Sequence, residues 1–322
     1  MSPFFDEAAY AVLYRSDREL ARVAGTVRGV LRRLRDFARA GRFDLVLVYR
    51  ESAPIGPPVF ERLLIRKGKS YVYDFDDALF VGPVHPSNRR WSWLRAPARY
   101  GEIVRGARTV IAANEYLGAW ARGLGAEVTI IPTPVDTTRF VPGRRRSGSP
   151  FVIGWIGSST TAPYLRLLDE VLDRLVGRID FVLRVVGGTY AHPRAPVEVI
   201  PWSLAREPDD VAGFDIGVLP EPDDVWTRGK GAFKAILYMA VGLPVVASTV
   251  GVNPEVIPEG RVGFCVQSAD EWVAAIERLA GDPDLRARLG ATGRRWVEER
   301  YSLKALAPRM ATVLRSAAGS GA

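Results

Sequence analysis

Short apolar runs of strand length alternate with stretches of helical periodicity along the whole chain, and this alternation limits the fold more than any other feature. Strands are predicted at residues 44–49, 70–73, 109–112, 128–131, 151–156, 181–186, 197–201, 215–219, from 245, and at 263–266. Helices are predicted at residues 6–14, 17–39, 57–65, 91–104, 115–122, 162–175, from 231, at 270–280, at 284–300, and from 303. Strands that alternate with helices form parallel sheets, which bind ligands at the carboxyl ends of their strands. We therefore predict an α/β fold.

The clearest interruption of this alternation lies at residues 142–150, where apolar periodicity is lost and Pro, Gly and Arg accumulate. Such a composition is typical of a linker. It separates a predicted N-terminal domain, residues 1–141, from a predicted C-terminal domain, residues 151–302. Residues 303–322 are predicted as a final helix, for which packing back on the N-terminal domain is one option.

Composition restricts the class of function. The 322 residues are 48% hydrophobic and 25% charged, which is enough for two cores. The net charge of +8 fits a polyanion, an anionic membrane surface or a phosphorylated substrate. The single cysteine, Cys265, excludes an intramolecular disulfide framework and a multi-cysteine metal site, and a total of two histidines argues against a His-rich metal centre. We predict no metal and no cofactor.

Neither a signal-peptide pattern at the start nor an apolar run of about 20 residues is found in the sequence. We therefore predict a cytoplasmic protein, with contact to the inner face of the cell membrane as an option. That option comes from the helix predicted at 17–39, where an apolar and a basic stripe run side by side, as on an interfacial helix. The stripes are Val27, Leu31, Leu34 and Ala38, and Arg28, Arg32, Arg35 and Arg39. The alternative, which we favour, is a core-facing helix with a solvated basic flank.

A second basic cluster lies at the start of the helix predicted from Gly231, where Arg228, Lys230 and Lys234 crowd a turn. The free N–H groups and positive dipole end of such a turn favour carboxylates, so cations there suggest a bound anion. The Gly-Lys-Gly sequence allows the backbone to approach a phosphate closely. A solvated basic turn is the alternative.

Other predicted loops open on the same edge of the second sheet. Gly157-Ser158-Ser159 joins a strand to a helix, where N–H groups and hydroxyls can hold an anion or simply cap the helix. Trp202-Ser203 and the segment from Pro220 to Val225 follow two further strands. Because these loops converge, the phosphate interpretation gains support over a solvated turn.

In the first domain, Asp74-Phe75-Asp76-Asp77 follows a predicted strand. These carboxylates could act as acid, as base or as hydrogen-bond acceptors for a sugar hydroxyl. A helix N-cap is the structural alternative, and we favour function. Asp74-Phe75-Asp76 also matches the short D-x-D metal pattern, to which we give little weight because the tripeptide is common.

Three motifs resemble the retaining glycosyltransferases of the GT-B fold, specifically glycosyltransferase family four. They are Ile131 to Phe140 (IPTPVDTTRF), Gly154 to Ser158 (GWIGS), and Tyr238 to Ser248, which contains GLPVVAS. The resemblance implies two Rossmann-like domains that face a cleft. It implies a nucleotide sugar on the C-terminal domain, an acceptor mainly on the N-terminal domain, and retaining transfer without an obligatory metal.

The resemblance also implies roles for individual residues. Gly157-Ser158-Ser159 would face the donor phosphates, Trp202-Ser203 would meet the nucleotide base, and the backbone of Gly231-Ala232-Phe233 would reach the donor sugar. The cations that would neutralise the diphosphate leaving group are Arg228, Lys230 and Lys234. Asp76-Asp77 would lie beside the transferred sugar as the catalytic carboxylates.

The chain departs from the family pattern at three places. Two family glutamates correspond to Gly229 and Leu237, and the loop after Gly157 lacks the usual basic pair. The strand and Gly-rich loop with which relatives open are not found, so we expect an incomplete N-terminal domain that is less stable or less active than an extended version.

The predicted function is transfer of a hexose-type sugar from a nucleoside-diphosphate sugar to a glycan or lipid-linked acceptor. One alternative is a nucleotide-sugar epimerase, and another is a nucleotide-sugar-binding scaffold without catalysis. A nucleic-acid binder is least favoured, because the basic residues come without an aromatic platform or recognition motif.

Overall fold

The computed structural model describes residues 2–5, 19–54, 56–81, 97–143 and 150–319, with the side chains of residues 19, 20 and 22 excepted. The chain divides into unit 1, residues 1–131 with 310–322, and unit 2, residues 132–309. Each unit holds one parallel sheet, so the predicted α/β class is confirmed. The predicted linker contains residues 144–149, which lie outside the described residues, and it stays a prediction.

Unit 1 has a four-stranded parallel sheet in the order β1-β2-β3-β4. Its elements are α1 (Glu19–Arg39), β1 (Val46–Tyr49), α2 (Val59–Arg66), β2 (Tyr71–Phe75), α3 (Ala98–Gly106), β3 (Thr109–Ala112), α4 (Glu115–Gly123) and β4 (Val128–Ile130). Most residues of the central strands β2 and β3 are apolar and buried, as expected of a parallel sheet with covered faces. The helix predicted at 6–14, and residues 91–96 of the helix predicted at 91–104, lie outside the described residues.

The apolar stripe of α1 does not face a core in the described structure. Val27, Leu31 and Leu34 are 53%, 59% and 48% exposed, and the buried side of the helix is lined by small residues such as Gly29, against the ring of Phe4. The expectation of a core-facing stripe is therefore wrong. Helical periodicity shows which residues share a face, but it cannot show which face finds a partner.

Unit 2 has a six-stranded parallel sheet in the order β10-β9-β8-β5-β6-β7. Its strands are β5 (Phe151–Ile156), β6 (Phe181–Val186), β7 (Val197–Ile200), β8 (Ile216–Leu219), β9 (Val245–Ser248) and β10 (Gly263–Val266). Its helices, with α12 continuing into unit 1, are α5 (Asp169–Leu175), α6 (Glu207–Ala212), α7 (Val225–Arg228), α8 (Phe233–Ala240), α9 (Asn253–Val256), α10 (Ala269–Gly281), α11 (Pro283–Arg300) and α12 (Leu303–Gly319). The strand order reverses at β5, the point where open α/β sheets bind ligands.

Two glycines position α8 against this sheet. Gly154 and Gly217 are paired across β5 and β8, and a Cβ atom on Gly217 would lie 2.2 Å from the ring of Tyr238 in α8. The Tyr238 hydroxyl accepts a hydrogen bond from the amide of Ile156 (3.1 Å) and donates one to the carbonyl of Val218 (3.3 Å). The second turn of α8, which carries Tyr238, is thereby held against the carboxyl ends of β5 and β8.

None of the helices in the described ranges has the length and apolar character needed to cross a bilayer.

Candidate functional site

Three loops of unit 2 meet at Gly187, which has φ +82°. Its amide donates to the carbonyl of Ile200 (2.9 Å), and the amide of Gly157 donates to the carbonyl of Val186 (3.0 Å). A Cβ atom on Gly187 would lie 2.4 Å from the carbonyl oxygen of Gly157 and 3.0 Å from Cβ of Trp202. The structure therefore brings the loops after β5, β6 and β7 into contact, as their shared edge of the sheet predicts.

The loop after β5 presents hydroxyl groups at the start of a helical turn. The carbonyl of Ser158 accepts hydrogen bonds from the amides of Thr161 and Ala162, both at 3.0 Å, and so begins a 3-10 helix. The Ser158 hydroxyl lies 2.7 Å from that of Thr160, and Ser159 is exposed. Exposed hydroxyls at a helix start suit an anion, and their contact with donor phosphates stays a prediction.

The loop after β7 holds an exposed indole. Trp202 is 50% exposed, and its N–H donates to Oε1 of Glu207 (3.2 Å). The carbonyl of Ser203 accepts the amide of Glu207 (2.9 Å), and Nη2 of Arg139 lies 3.2 Å from Oε2 of Glu207. An indole held at one edge can offer a ring face to a nucleotide base.

The basic segment is organised differently from the prediction. A short helix that was not predicted, α7, ends at Arg228, and α8 begins at Phe233, so Arg228 and Lys234 lie on different helices. Arg228 binds Asp223 through two hydrogen bonds, of 2.6 and 3.0 Å, and Lys230 lies with Nζ 5.5 Å from the centroid of the Trp226 ring. The helix predicted from Gly231 begins at Phe233, because Ala232 adopts a left-handed conformation, with φ +53°. Only Lys234 occupies the first turn of α8.

Lys234 is half-buried beside the aromatic ring of Trp155. Its Nζ lies 5.5 Å from the centroid of the Trp155 ring in β5. Burial lowers the pKa of Lys234 to about 8, and the charge of Glu221 opposes this shift while that of Lys230 adds to it. Its surroundings are therefore less hydrated than those of a lysine in a fully solvated turn.

Glu221, two residues beyond β8, is a site residue that the sequence analysis missed. It is 5% exposed, and its Oε2 accepts a hydrogen bond from Nδ2 of Asn253 (3.1 Å). Burial raises the pKa of Glu221, and the charge of Lys234 opposes the shift. The sequence feature that could have identified this site residue is a carboxylate between two prolines, Pro220-Glu221-Pro222, directly after a buried strand. In contrast Leu237, at a position where the family resemblance implies a glutamate, is apolar and 4% exposed.

In unit 1, the predicted catalytic carboxylates bind an arginine that the sequence analysis also missed. Nε of Arg50 lies 3.1 Å from Oδ1 of Asp76, Nη2 of Arg50 pairs with Asp77, and the Tyr49 hydroxyl donates to Oδ2 of Asp76 (2.8 Å). Arg50 follows β1 with φ +59°, a strained conformation for a non-glycine residue. Within the described residues, these two carboxylates thus bind Arg50 instead of capping a helix. The described ranges hold no cluster of three or more His, Cys, Asp or Glu side chains suited to a metal ion.

Asp74 gives unit 1 a measurable pH dependence. Burial, together with the charge of Asp76, raises the pKa of Asp74 from 3.8 to about 7. The folded state keeps this proton until about pH 7 and the unfolded chain loses it near pH 4, so the stability contributed by Asp74 falls as pH rises between these values. Asp74→Asn should therefore stabilise the protein by on the order of 2 kcal/mol more at pH 8 than at pH 5.

Thermal unfolding followed by circular dichroism at the two pH values measures this difference. The exposed Asp44, changed to Asn, is the control, because the same charge is removed at a hydrated position of unit 1. A stabilisation by Asp74→Asn that is equal at pH 5 and pH 8 would contradict the prediction.

The comparisons with known proteins agree with this geometry. A family described as "Glycosyl transferases group 1" matches residues 150–282. The chain is 32% identical over 267 residues to the GDP-mannose-dependent alpha-(1-6)-phosphatidylinositol monomannoside mannosyltransferase of Mycolicibacterium smegmatis, which covers 73% of this chain and 69% of that protein. It is 35% identical over 227 residues to the protein of the same name from Mycobacterium tuberculosis, of whose length it spans 58%. The chain belongs to the group 1 glycosyltransferase family.

Solved structures agree on the fold. Sucrose-phosphate synthase from Thermosynechococcus elongatus aligns with a TM-score of 0.68 at 18% identity, over 90% of this chain and 78% of that one. HepE from Anabaena, solved with UDP and glucose, aligns with a TM-score of 0.66 at 16% identity, over 88% of this chain and 81% of that one. The predicted GT-B fold class is confirmed.

Proposed function

We propose that this chain is a glycosyltransferase that moves a hexose-type sugar from a nucleoside-diphosphate sugar to a glycan or lipid-linked acceptor, with retention of configuration. The observation that carries the proposal is Lys234, a half-buried cation in the first turn of α8 with its Nζ 5.5 Å from the centroid of the Trp155 ring. Lys230 lies close enough for its charge to lower the pKa of Lys234. Two cations at a helix start favour a bound anion, and a diphosphate supplies one.

The chemistry follows from the charge that develops on the leaving group. When the bond between the sugar and the diphosphate breaks, negative charge accumulates on the departing phosphate oxygen, and fixed cations and N–H groups stabilise it. Lys230, Lys234 and the backbone from Gly231 to Phe233 would provide these groups. Ser158 and Ser159 would bind the phosphates from the loop after β5.

Asp76 and Asp77 are the proposed catalytic carboxylates, beside the transferred sugar. Their position directly after β2 supports the proposal, because the carboxyl ends of parallel strands are where such folds bind ligands. The Arg50 guanidinium beside them suits carboxylates that accept hydrogen bonds from a sugar hydroxyl.

The relatives suggest the substrates. The two mycobacterial proteins are named for GDP-mannose and for a phosphatidylinositol monomannoside, so we propose a guanosine diphosphate sugar as donor and a lipid-linked acceptor as one option. The exposed Val27, Leu31 and Leu34 of α1, flanked by Arg28 and Arg35, support contact with an anionic membrane surface. A cytoplasmic enzyme at the inner face of the cell membrane would fit these features.

A nucleotide-sugar-binding protein without catalysis is a second candidate, because Gly229 and Leu237 contribute no carboxylate. A measurable rate of donor hydrolysis or of sugar transfer would exclude it.

A panel of ligands tests the donor site. We expect GDP-mannose, UDP-glucose, GDP or UDP to raise the melting temperature by several degrees, since a ligand at 100 times its Kd stabilises the folded state by about 2.7 kcal/mol. Guanosine and uridine, which lack phosphates, are the matched controls and should shift it little. Equal shifts by the nucleosides and the diphosphates, or no shift by any ligand, would contradict a diphosphate site.

A further inference from the structure

We propose that Glu207 is a positioning residue of the donor site, which holds the Trp202 indole as a platform for the nucleotide base, and that Arg139 holds Glu207 in place. The inference rests on the proposed function, because it assigns roles within the same site. It also gives a role to Arg139 of the IPTPVDTTRF segment, which the proposed function leaves without one.

The Trp202 side chain is fixed at two points and is open between them. Its Cβ atom lies where the three loops meet, 3.0 Å from the position that a Cβ atom on Gly187 would take. On the ring, the indole N–H donates to Oε1 of Glu207 (3.2 Å). The residue is nevertheless 50% exposed. An exposed ring that is already fixed suits stacking, because little side-chain freedom remains to be lost when a base binds.

The Glu207 carboxylate gives each of its oxygens a separate partner. Oε1 accepts the indole N–H, and Oε2 lies 3.2 Å from Nη2 of Arg139. The amide of Glu207 donates to the carbonyl of Ser203 (2.9 Å), which closes a turn directly after Trp202. Both the carboxylate and the backbone of Glu207 are therefore tied to the loop that carries the indole.

Arg139 is presented to this loop by a turn in the segment from Ile131 to Phe140. Oδ1 of Asp136 accepts hydrogen bonds from the amide (2.9 Å) and the hydroxyl (2.6 Å) of Thr138, and the carbonyl of Asp136 accepts one from the amide of Arg139 (3.2 Å). The guanidinium then donates to the carbonyl of Leu204 and pairs with the carboxylate described above. Arg139 thereby joins the segment to the loop after β7 at two points.

These contacts fix an orientation more than they stabilise the fold. The side chains of Arg139 and Glu207 are 36% and 16% exposed, and ion pairs in such positions contribute little to stability. Stacking of a base on an aromatic ring, in contrast, contributes substantially to affinity. Without an acceptor for its N–H, the indole could rotate, and a base would have to order it on binding. Replacing Glu207 should therefore weaken nucleotide binding and leave the melting temperature within about 3 °C of wild type.

Binding of GDP to the full chain, measured by isothermal titration calorimetry, tests the inference. Glu207→Met keeps the length of the side chain and removes both oxygens, so the Kd should rise about fivefold. Glu207→Gln keeps one oxygen for the indole N–H but loses the ion pair, and Arg139→Met loses the ion pair alone. Both variants should bind with a Kd between those of wild type and Glu207→Met.

Three controls separate positioning of the indole from a general disturbance. Glu277→Met removes another half-buried glutamate of unit 2, whose Oε1 lies 2.7 Å from Nε of Arg178, and should bind GDP like wild type. In a Trp202→Phe background, which keeps a ring without an N–H, Glu207→Met should change the Kd less than about twofold. Inorganic pyrophosphate has no base, so its constant for competition with GDP should differ less than about twofold between wild type and Glu207→Met.

The outcomes are distinct. If wild type and Glu207→Met bind GDP equally, the role of Glu207 is overturned while the donor site stands. A loss of the same size in the Trp202→Phe background, or for pyrophosphate, also overturns it, because the effect would then not pass through the indole. If Glu207→Met does not fold, Trp202→Phe decides, since a Kd at least about threefold above wild type supports the inference and an equal Kd overturns it. Absence of GDP binding by wild type overturns the donor site, and this inference with it.

Discussion

Lys230→Ala is expected to lower the rate of sugar transfer from a nucleoside-diphosphate sugar by about 100- to 1000-fold, the usual cost of removing one group that stabilises transition-state charge. Lys230 follows α7 and precedes the left-handed turn at Ala232, and its Nζ lies 5.5 Å from the centroid of the Trp226 ring. In the proposed site, its ammonium meets the diphosphate as charge develops on the leaving oxygen. The loss should therefore appear in kcat more than in KM.

Release of nucleoside diphosphate, followed by chromatography in the presence and absence of acceptor, measures this rate. Lys304→Ala is the control, since Lys304 is an exposed lysine at the start of α12 in the same unit. Equal rates of transfer for Lys230→Ala and wild type would show that Lys230 does not stabilise the leaving group. Binding of the donor without turnover by the wild-type protein would favour the second candidate, a nucleotide-sugar-binding protein.

Gly187→Ala is expected to destabilise the folded protein by on the order of 3 kcal/mol and to weaken donor binding at least tenfold. Two unfavourable contributions to the free energy of folding add at Gly187, one from the backbone conformation and one from steric overlap. The residue has φ +82°, which disfavours a side chain, and the new Cβ atom would overlap the backbone carbonyl of Gly157 at 2.4 Å. Relief requires the loop after β5 to move away from the loop after β7, which separates Ser158 from Trp202.

Gly177→Ala is a matched control, because Gly177 has φ +81° with open space around its Cβ position. Gly177→Ala places a side chain at a positive φ angle but creates no atomic overlap. It should therefore lower the free energy of unfolding by about 1 kcal/mol and leave donor affinity unchanged. Melting temperature and the Kd of GDP or UDP measure both effects. A Gly187→Ala protein that behaves like Gly177→Ala would show that the three loops do not depend on their contact at Gly187.

Buried parallel strands were the most predictable part of this protein. The strands Thr109–Ala112, Phe151–Ile156, Phe181–Val186 and Gly263–Val266 begin and end at the predicted residues. The reason is local, because a strand buried on both faces is a continuous apolar run bounded by polar or glycine residues. The start of α8 was less predictable. The apolar spacing predicted a helix from Gly231, but the helix begins at Phe233 because Ala232 is left-handed, and that conformation depends on the surrounding packing.

Local sequence patterns could not predict which side chains contact each other across the fold. The predicted Asp76 and Asp77 lie where the prediction put them, directly after β2, but the pairing with Arg50 joins residues about 27 positions apart. Asn253 and Glu221 are 32 positions apart. Such contacts depend on the strand order, and the alternation of strands and helices does not specify that order.

The sequence by itself determined the α/β class, most of the strands, the edge of the sheet where the loops converge and the motifs of a group 1 glycosyltransferase. These follow from apolar periodicity and from residues close together in the chain. Only the tertiary structure decided that the α1 stripe is exposed, that Arg228 binds Asp223, and that Glu221 is buried and accepts a hydrogen bond from Asn253. Exposure and pKa depend on every group that surrounds a side chain, and the basic helix start therefore became an interpretable site only once the chain was folded around it.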